Sequence, residues 1–395
     1  MNKFLICESA ELLKNFPRLI KEENFKTTLI SSDKSVLRKN KFIDEYIAIK
    51  TEKNKDFAQQ LITNKELISQ LDGWIIWGND EIIRKVATSK LPLEEKLRIL
   101  PAKKKIGLQL LGSKVGLAKI SNKLELRIPK TIIAKNSDEL KKNISSSKNP
   151  LIVKADRFGG GEYVKKLLTA KEKREVNIPN NWFPVVIQEF IVGDLVSVEA
   201  FFKNGKLIAW QYASFADTLG EFGASYSRIF ETPQERGFEL DLMHLAKECG
   251  LEGMFNCTFI FKDSKHYLIE ADARPNAWHF LYSYFKIPVL EIMTEKQQVP
   301  PTPYEAYLNS KRVKVTDLDR SVPYALSQRN YKLIFKSILG FRRSTQWLSG
   351  SKVKTLKILF LALLLLLVTW LPKGPLTRIK NFKVTKFIHH KIFER

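Results

Sequence analysis

Two runs on either side of a turn near residue 263 alternate with period two, which restricts the middle of the chain to an antiparallel strand pair with one dry and one polar face. In the first run Phe255, Cys257, Phe259 and Phe261 fall on one face, and Asn256 and Thr258 on the other. After the turn pair Asp263-Ser264, the run Tyr267 to Asn276 places Glu270, Asp272 and Arg274 two residues apart. They share a face, at spacings of roughly 6 to 7 Å. Paired as a hairpin, the two strands would present Asn256, Thr258, Glu270, Asp272 and Arg274 as one polar surface. Two acids and an arginine in this pattern suit Mg²⁺ bridging phosphates, with the guanidinium holding an oxygen of a transferring group. An exposed, salt-bridged sheet face is the plainer alternative.

Two further segments carry chemistry. Leu151-Ile152-Val153 is a buried strand that delivers Lys154 at its end, followed by Ala155-Asp156-Arg157 and then Phe158-Gly159-Gly160-Gly161. Successive glycine N–H groups in such a loop can cradle phosphate oxygens, and Lys154 adds positive charge. A turn between two strands would use the same glycines, and the run lacks the Gly-Lys-Ser/Thr ending of the Walker loop. Val185-Val186-Ile187 runs into Gln188-Glu189-Phe190-Ile191 and a turn at Gly193-Asp194. Such a hinge can offer backbone groups to an adenine edge while Phe190 or Ile191 packs beside the ring.

The first hundred residues alternate short apolar runs with helix-period segments, as in Phe4–Cys7, Ala10–Glu23 and Thr28–Ile30, which reads as βαβ units around a parallel sheet. Trp74–Trp77 followed by Gly78-Asn79-Asp80-Glu81 reads as a buried strand with a loop at its C-terminal end, where open α/β sheets bind ligands. A plain turn with Asn79 or Asp80 capping the next helix is the alternative. A second hairpin turn stands at Asn204-Gly205, and Pro300-Pro301-Thr302-Pro303 reads as a stiff linker.

The order Lys114, then Lys154 with Gly159–Gly161, then Gln188–Ile191 with Gly193, then Glu270-Ala271-Asp272-Ala273-Arg274 resembles the ATP-grasp superfamily over roughly residues 1–295. The style is that of its carbamoyl-phosphate-synthase-like and carboxylate–amine ligase branches. The resemblance implies an α/β (α+β) fold: a Rossmann-like pre-grasp domain at 1–105, a lysine and Gly-loop subdomain at 106–187, and a metal-site subdomain at 188–299. A Pro linker with a basic segment follows at 300–350, and an apolar helix with a basic tail at 351–395. It also implies ATP with Mg²⁺, or Mn²⁺, as cofactors. Lys114 and Lys154 would contact phosphates under the loop Phe158–Gly161, and Gln188, Glu189, Phe190 and Ile191 would hold the adenine, mainly through the backbone at Glu189 and Ile191. Glu270 and Asp272 would ligate the metal, Arg274 would face the transferred group, and Arg228 would stand near the acyl phosphate.

The sequence departs from the family pattern twice. Thr258 stands twelve residues before Glu270, where a second metal carboxylate is usual, and Asp272 replaces the usual asparagine. The total charge is thereby kept. Leu195 stands at the ribose-binding position, with Asp194 beside it. The implied activity is an ADP-producing ligase that activates a carboxylate as an acyl phosphate for attack by an amine or similar nucleophile, both substrates unidentified. A weak or inactive ATP-binding module and an ATP-grasp kinase are the alternatives. Trp278 and His279 could line an acceptor pocket, although a packing role is favoured for both.

Of the formal net charge of +24, the last 67 residues carry fifteen Lys or Arg against the single acid Glu394, 15 − 1 = +14. Within that stretch Ile358–Leu371 is uncharged and leucine-rich, with lysines on both sides. Spanning a bilayer takes about 20 apolar residues, so a shallow or re-entrant helix is favoured over a full span, held by anionic lipid on the cytoplasmic side. Nucleic acid is the weaker match for a leucine run. Cys7, Cys249 and Cys257 lack metal-ligand or disulfide patterning, which points to a reducing compartment. Nothing in the sequence fixes the oligomeric state.

Overall fold

The computed structural model describes residues 2–360 apart from 7–11, 14, 51–55, 158–160, 162, 280, 285–286, 294–297, 299, 301, 306–311, 329, 345–354 and 357. The chain forms two compact units, Met1–Ser214 with Glu231–Lys311, and Phe215–Phe230 with Arg312–Arg395. The second unit thus takes a segment, Phe215–Phe230, out of the middle of the region that the motifs assign to the metal site.

The first unit begins with β1 (Asn2–Ile6), β2 (Thr27–Ser32), β3 (Glu45–Ile49) and β4 (Gly73–Trp77). These pair in parallel in the order β3-β2-β1-β4. Parallel neighbours need crossovers, and helices Phe16–Glu22, Phe57–Thr63 and Lys65–Gln70 lie in them. The strand order reverses between β1 and β4, so the loop after β4 opens at a switch point of the sheet. There Asn79 caps the helix Asp80–Thr88, its side chain accepting from the N–H groups of Glu81 (2.8 Å) and Ile82 (3.2 Å).

A second sheet follows, built from β5 (Thr131–Ala134), β6 (Leu151–Ala155), β7 (Val164–Leu167) and β8 (Val185–Glu189) in the antiparallel order β5-β8-β6-β7. Val153, Val185 and Ile187 pack from its strands against Leu140 and Ile144 of helix Ser137–Ser145. The alternation of side chains along a strand sets Lys154 and Gln188 on the opposite face, where they too are buried.

The third sheet holds the sequence-predicted polar hairpin. β9 (Asp194–Lys203) turns into β10 (Lys206–Thr218) through Asn204 and Gly205, at φ 52° and 70°. Both lie in the left-handed region that a two-residue type I′ turn demands. β10 leaves the first unit after Ser214, and β11 (Ser225–Phe230) belongs to the second. The pair β12 (Gly253–Lys262) and β13 (Lys265–Asp272) is closed by Asp263 and Ser264, at φ 48° and 55°. In the first unit the order is β13-β12-β9-β10, with β14 (Tyr304–Glu305) parallel to β10 at Ala209 and Trp210. Phe202, Phe255, Cys257 and Phe259 join the core that also contains Phe238, Leu242 and Leu245 of helix Gly237–Cys249. That leaves the other face to the polar residues.

In the second unit β15 (Val313–Thr316) pairs antiparallel with β11. Helices Leu318–Ser327 and Tyr331–Leu339 pack around Leu318, Val322, Ala325 and Ile334, together with Ile358 and Leu359. Among the described residues no helix is long and apolar enough to cross a membrane. Most of the leucine-rich stretch and all of the tail beyond it, residues 361–395, lie outside the described residues.

Candidate active site

The register of β12 on β13 sets Asn256 opposite Asp272 and Thr258 opposite Glu270. β9 extends the same rows, with Glu199 opposite Asn256 and Ser197 opposite Thr258. The polar face therefore spans three strands, Ser197-Thr258-Glu270 in one row and Glu199-Asn256-Asp272 in the next. Alternation in β9, with Ser197 and Glu199 between Val196, Val198 and Ala200, carried this signal in the sequence.

Arg274 follows β13 and is held by two carboxylates. Its Nη2 donates to Asp272 Oδ2 at 3.0 Å, and its Nε donates to Asp80 Oδ2 in a short ion pair. Asp80 is the first residue of the helix after β4. The capping alternative read from the sequence holds at Asn79, and Asp80 pairs with Arg274. Gly112 permits the approach, because at its φ of +63° a Cβ would meet the Asp80 carbonyl oxygen at 2.6 Å. Burial would pull the Arg274 guanidinium down, but Asp80 and Asp272 outweigh it and hold the group above its ordinary value. Desolvation, with the charges of Asp80 and Glu270, pushes the Asp272 carboxyl well above the usual carboxylate range against the opposing pull of Arg274 and Lys114.

The two lysines converge from other elements. Lys114 opens the helix Lys114–Lys123, and its Nζ stands 3.6 Å from Glu270 Oε1. Lys154, buried in β6, is pushed by desolvation down to about 8, with Glu270 opposing the shift and Lys114 adding to it. Asp156 ties the two elements together. Its Oδ1 accepts from Ser113 Oγ (2.9 Å) and from the Val115 N–H (2.8 Å), immediately before and after Lys114. Lys114, Leu117, Ile128, Lys154, Val186, Gln188 and Leu268 are among the residues that line a small pocket, where the two lysines meet apolar side chains.

The hinge segment lies at the end of β8. Gln188 Nε2 donates to Thr131 Oγ1 at 3.0 Å, and the Glu189 N–H donates to the Lys130 carbonyl at 2.9 Å. Glu189 Oε1 accepts from Asn149 Nδ2 at 2.8 Å. The Phe190 N–H donates to the Pro150 carbonyl at 2.9 Å, and Lys166 Nζ stands 4.6 Å over the Phe190 ring. Ile191 is partly buried in the short link to β9, and Asp194 is exposed at the start of that strand. At Gly193 a Cβ would meet the Phe261 carbonyl oxygen at 2.6 Å, so only glycine fits the turn. Gly161 takes φ 77°, while Phe158, Gly159 and Gly160 lie outside the described residues.

Within the polar rows a buried network gathers on Glu199. Glu199 Oε1 accepts from Ser197 Oγ (2.8 Å), Asn256 Nδ2 (3.1 Å) and Asn276 Nδ2 (2.8 Å). Its Oε2 lies 2.9 Å from His279 Nδ1. Trp278 and His279 are buried here, with His279 in the network and the Trp278 carbonyl accepting from Gln211 Nε2 at 3.1 Å. Arg228 belongs to the second unit. There its Nε donates to Ser225 Oγ at 2.7 Å and its guanidinium lies 4.9 Å from the centre of the Phe215 ring. Cys249 and Cys257 are free and buried, and desolvation raises the Cys249 thiol to about 12.

The donor set fits a magnesium–nucleotide complex. Among the described residues no group of three or more His, Cys, Asp or Glu side chains converges as a self-sufficient metal cage. The rows instead offer Glu270 and Asp272, with like charge crowded enough to raise one of them. Mg²⁺ is commonly bound in this way, by one or two carboxylates with phosphate oxygens and waters completing the shell.

Residues 112–277 match the family model described as an ATP-grasp domain. Over these residues the chain is similar to an ATP-grasp domain. The match runs from the glycine beside Lys114 to the residue before Trp278, and so takes in both lysines, the hinge and the Glu270–Arg274 strand. None of the curated proteins matches the sequence. Solved structures share the fold of this chain over most of its length. The N5-carboxyaminoimidazole synthetase from Staphylococcus aureus complexed with ADP aligns with a TM-score of 0.59 at 16% identity, covering 83% of this chain and 85% of that one. The biotin carboxylase domain of the 2-oxoglutarate carboxylase from Hydrogenobacter thermophilus, in complex with MgADP, ADP and bicarbonate, aligns with a TM-score of 0.59 at 15% identity over 76% and 71% of the two chains. The phosphoribosylamine–glycine ligase from Thermotoga maritima gives 0.56 at 15% identity over 77% and 78%. At these identities the likeness is one of fold.

Proposed function

We propose that the protein is an ADP-forming ligase that uses MgATP to convert a carboxylate into an acyl phosphate, which an amine or similar nucleophile then attacks to form a carbon–nitrogen bond. The observation that carries this reading is the convergence of Lys114, Lys154, Glu270, Asp272 and Arg274 from three separate stretches of chain. Lys154 and Lys114 would hold phosphate oxygens, and Glu270 with Asp272 would hold Mg²⁺. The bound ion would neutralise charge on the phosphates as it shifts. Arg274, fixed by Asp80 and Asp272, would hold the oxygen of the transferring phosphoryl or acyl phosphate group. Gln188 through Ile191 would border the adenine. The nucleotide complexes of the synthetase and the carboxylase domain support ATP as the co-substrate, and the names of the neighbours support carboxylate and amine chemistry.

The basic, leucine-rich tail supports a place on the cytoplasmic face of a membrane, through residues 351–395 and anionic lipid. Thr258 and Leu195 favour a second reading, an ATP-binding module with little turnover. The deciding experiment incubates the protein with MgATP and mixed carboxylates and amines, and follows nucleotide binding and ADP release. ADP release that needs both a carboxylate and an amine, and that Lys154→Ala and Glu270→Ala abolish, supports the ligase. Binding without release across the substrate panel favours the module, and release with an alcohol or phosphate acceptor favours a kinase. Failure to bind nucleotide overturns the assignment of the site.

A further inference from the structure

The helix Tyr331–Leu339 is apolar on two sides. It buries Ile334 in the core of the second unit, with Ser337 on the same side. On the opposite arc lie Lys332, Phe335, Lys336 and Leu339, spaced three and four apart and all exposed, Phe335 at 55% and Leu339 at 69%. A second helical stretch repeats the arrangement. Residues 355–356 and 358–360 are helical, Ile358 and Leu359 enter the same core, and Leu356 (55%) and Phe360 (62%), four apart, remain exposed. Single exposed apolar side chains are ordinary, but two helices that each spend a second face on large apolar residues are not.

The charge around these residues selects the partner. No acid occurs in the sequence between Asp319 and Glu394, and Lys332, Lys336, Arg342 and Arg343 are exposed among the described residues. Large apolar side chains set among cations, without one carboxylate, match the boundary between headgroups and acyl chains of an anionic bilayer, where the hydrocarbon sinks and the lysines stay at the phosphate level. We infer that helix Tyr331–Leu339 and residues 355–356 and 358–360 form a lipid-docking face of the second unit, with Phe335, Leu339, Leu356 and Phe360 inserting and Lys332 and Lys336 meeting anionic headgroups. The inference rests on the membrane reading of the tail and goes beyond it, because it assigns binding to folded residues that precede the tail.

The test is sedimentation of the full chain with phosphatidylcholine vesicles prepared with and without phosphatidylglycerol. Wild type binds the anionic vesicles and largely ignores the neutral ones. Phe335→Ser with Leu339→Ser, and separately Lys332→Glu with Lys336→Glu, each weaken anionic binding roughly tenfold or more, while circular dichroism and ATP binding stay as in wild type. All four positions are exposed, so neither pair empties the core. Wild-type binding that both pairs leave intact overturns the docking face and leaves the tail as the anchor. Absence of wild-type binding overturns both readings. A dimer in solution that Phe335→Ser with Leu339→Ser splits, with no vesicle binding, would assign the face to a second copy of the chain instead.

Discussion

In the first unit Lys154, Glu199, Asp272 and Arg274 carry charge in among the strands, whereas in the second Phe335, Leu339, Leu356 and Phe360 carry hydrocarbon out to solvent. Each arrangement runs against the ordinary partition of side chains, and the two are stabilised differently. The buried charges are compensated inside the protein, Arg274 by two carboxylates and Glu199 by three donors and His279. The exposed hydrocarbon has no such cover among the described residues, and under the docking inference a lipid surface would supply it.

The contrast predicts where substitutions cost stability and where they cost function. Removing the hub of the buried network should be the most damaging change. Glu199→Ala removes the acceptor shared by Ser197, Asn256 and Asn276 and the charge beside His279, and is expected to cost about 3–5 kcal/mol, read from urea unfolding. A loss below about 1 kcal/mol would mean that water replaces the carboxylate and that the network is not dry. Lys154→Ala is expected to slow ADP formation by about 100- to 1,000-fold, some 2.7–4 kcal/mol, on the scale of losing one preorganised electrostatic contact. Equal loss of stability and activity would move Lys154 from the chemistry to the core.

Asp80→Asn should act through Arg274. The amide keeps the shape and removes the charge, so turnover is expected to fall about tenfold while ATP affinity changes little, a split visible in steady-state kinetics. If affinity falls and turnover holds, Arg274 serves the bound nucleotide and not the transfer.

The pH dependence follows from Lys154. Bound phosphate favours the ammonium, so the lysine's value with nucleotide lies above its value of about 8 without it. ATP affinity is therefore expected to decline as pH rises through 8, with proton uptake on binding in that window, which calorimetry in buffers of different ionisation enthalpy detects. In the free protein the same group works the other way. The unfolded chain binds the extra proton between about 8 and the ordinary 10.5, so this contribution to stability grows as pH rises across that range. The smallest effect belongs to the second unit. Phe335→Ser with Leu339→Ser should leave the unfolding free energy within about 0.5 kcal/mol, because exposed side chains contribute little to the core.

The legible part of the molecule was the part governed by short-range rules. Period-two alternation was enough to place Asn256 and Thr258 on the same face as Glu270 and Asp272, and the turn residues Asn204-Gly205 and Asp263-Ser264 were enough to place both hairpins. Glu199 was legible by the same rule and could have been found, since it alternates with Val198 and Ala200. Asp80 was legible only in part. Its position after a buried strand was visible, but its ion pair with Arg274 joins residues 194 apart in sequence, and no local pattern encodes such a distance. The departure of Phe215–Phe230 into the second unit was hidden for a related reason. β10 continues across the boundary as one unbroken strand, and only its burial, which changes from buried to half-buried at Ser214, marks the crossing.

Asp156 has a mechanical consequence. By accepting from Ser113 Oγ and the Val115 N–H, one carboxylate locks the start of the Lys114 helix to the end of the Lys154 strand. The two ammonium groups are thus held together by the fold itself, and under the proposed function they would act as the two arms of a chelator. The entropy of bringing them together would be spent once, during folding, so an incoming polyphosphate would meet both charges in a single encounter.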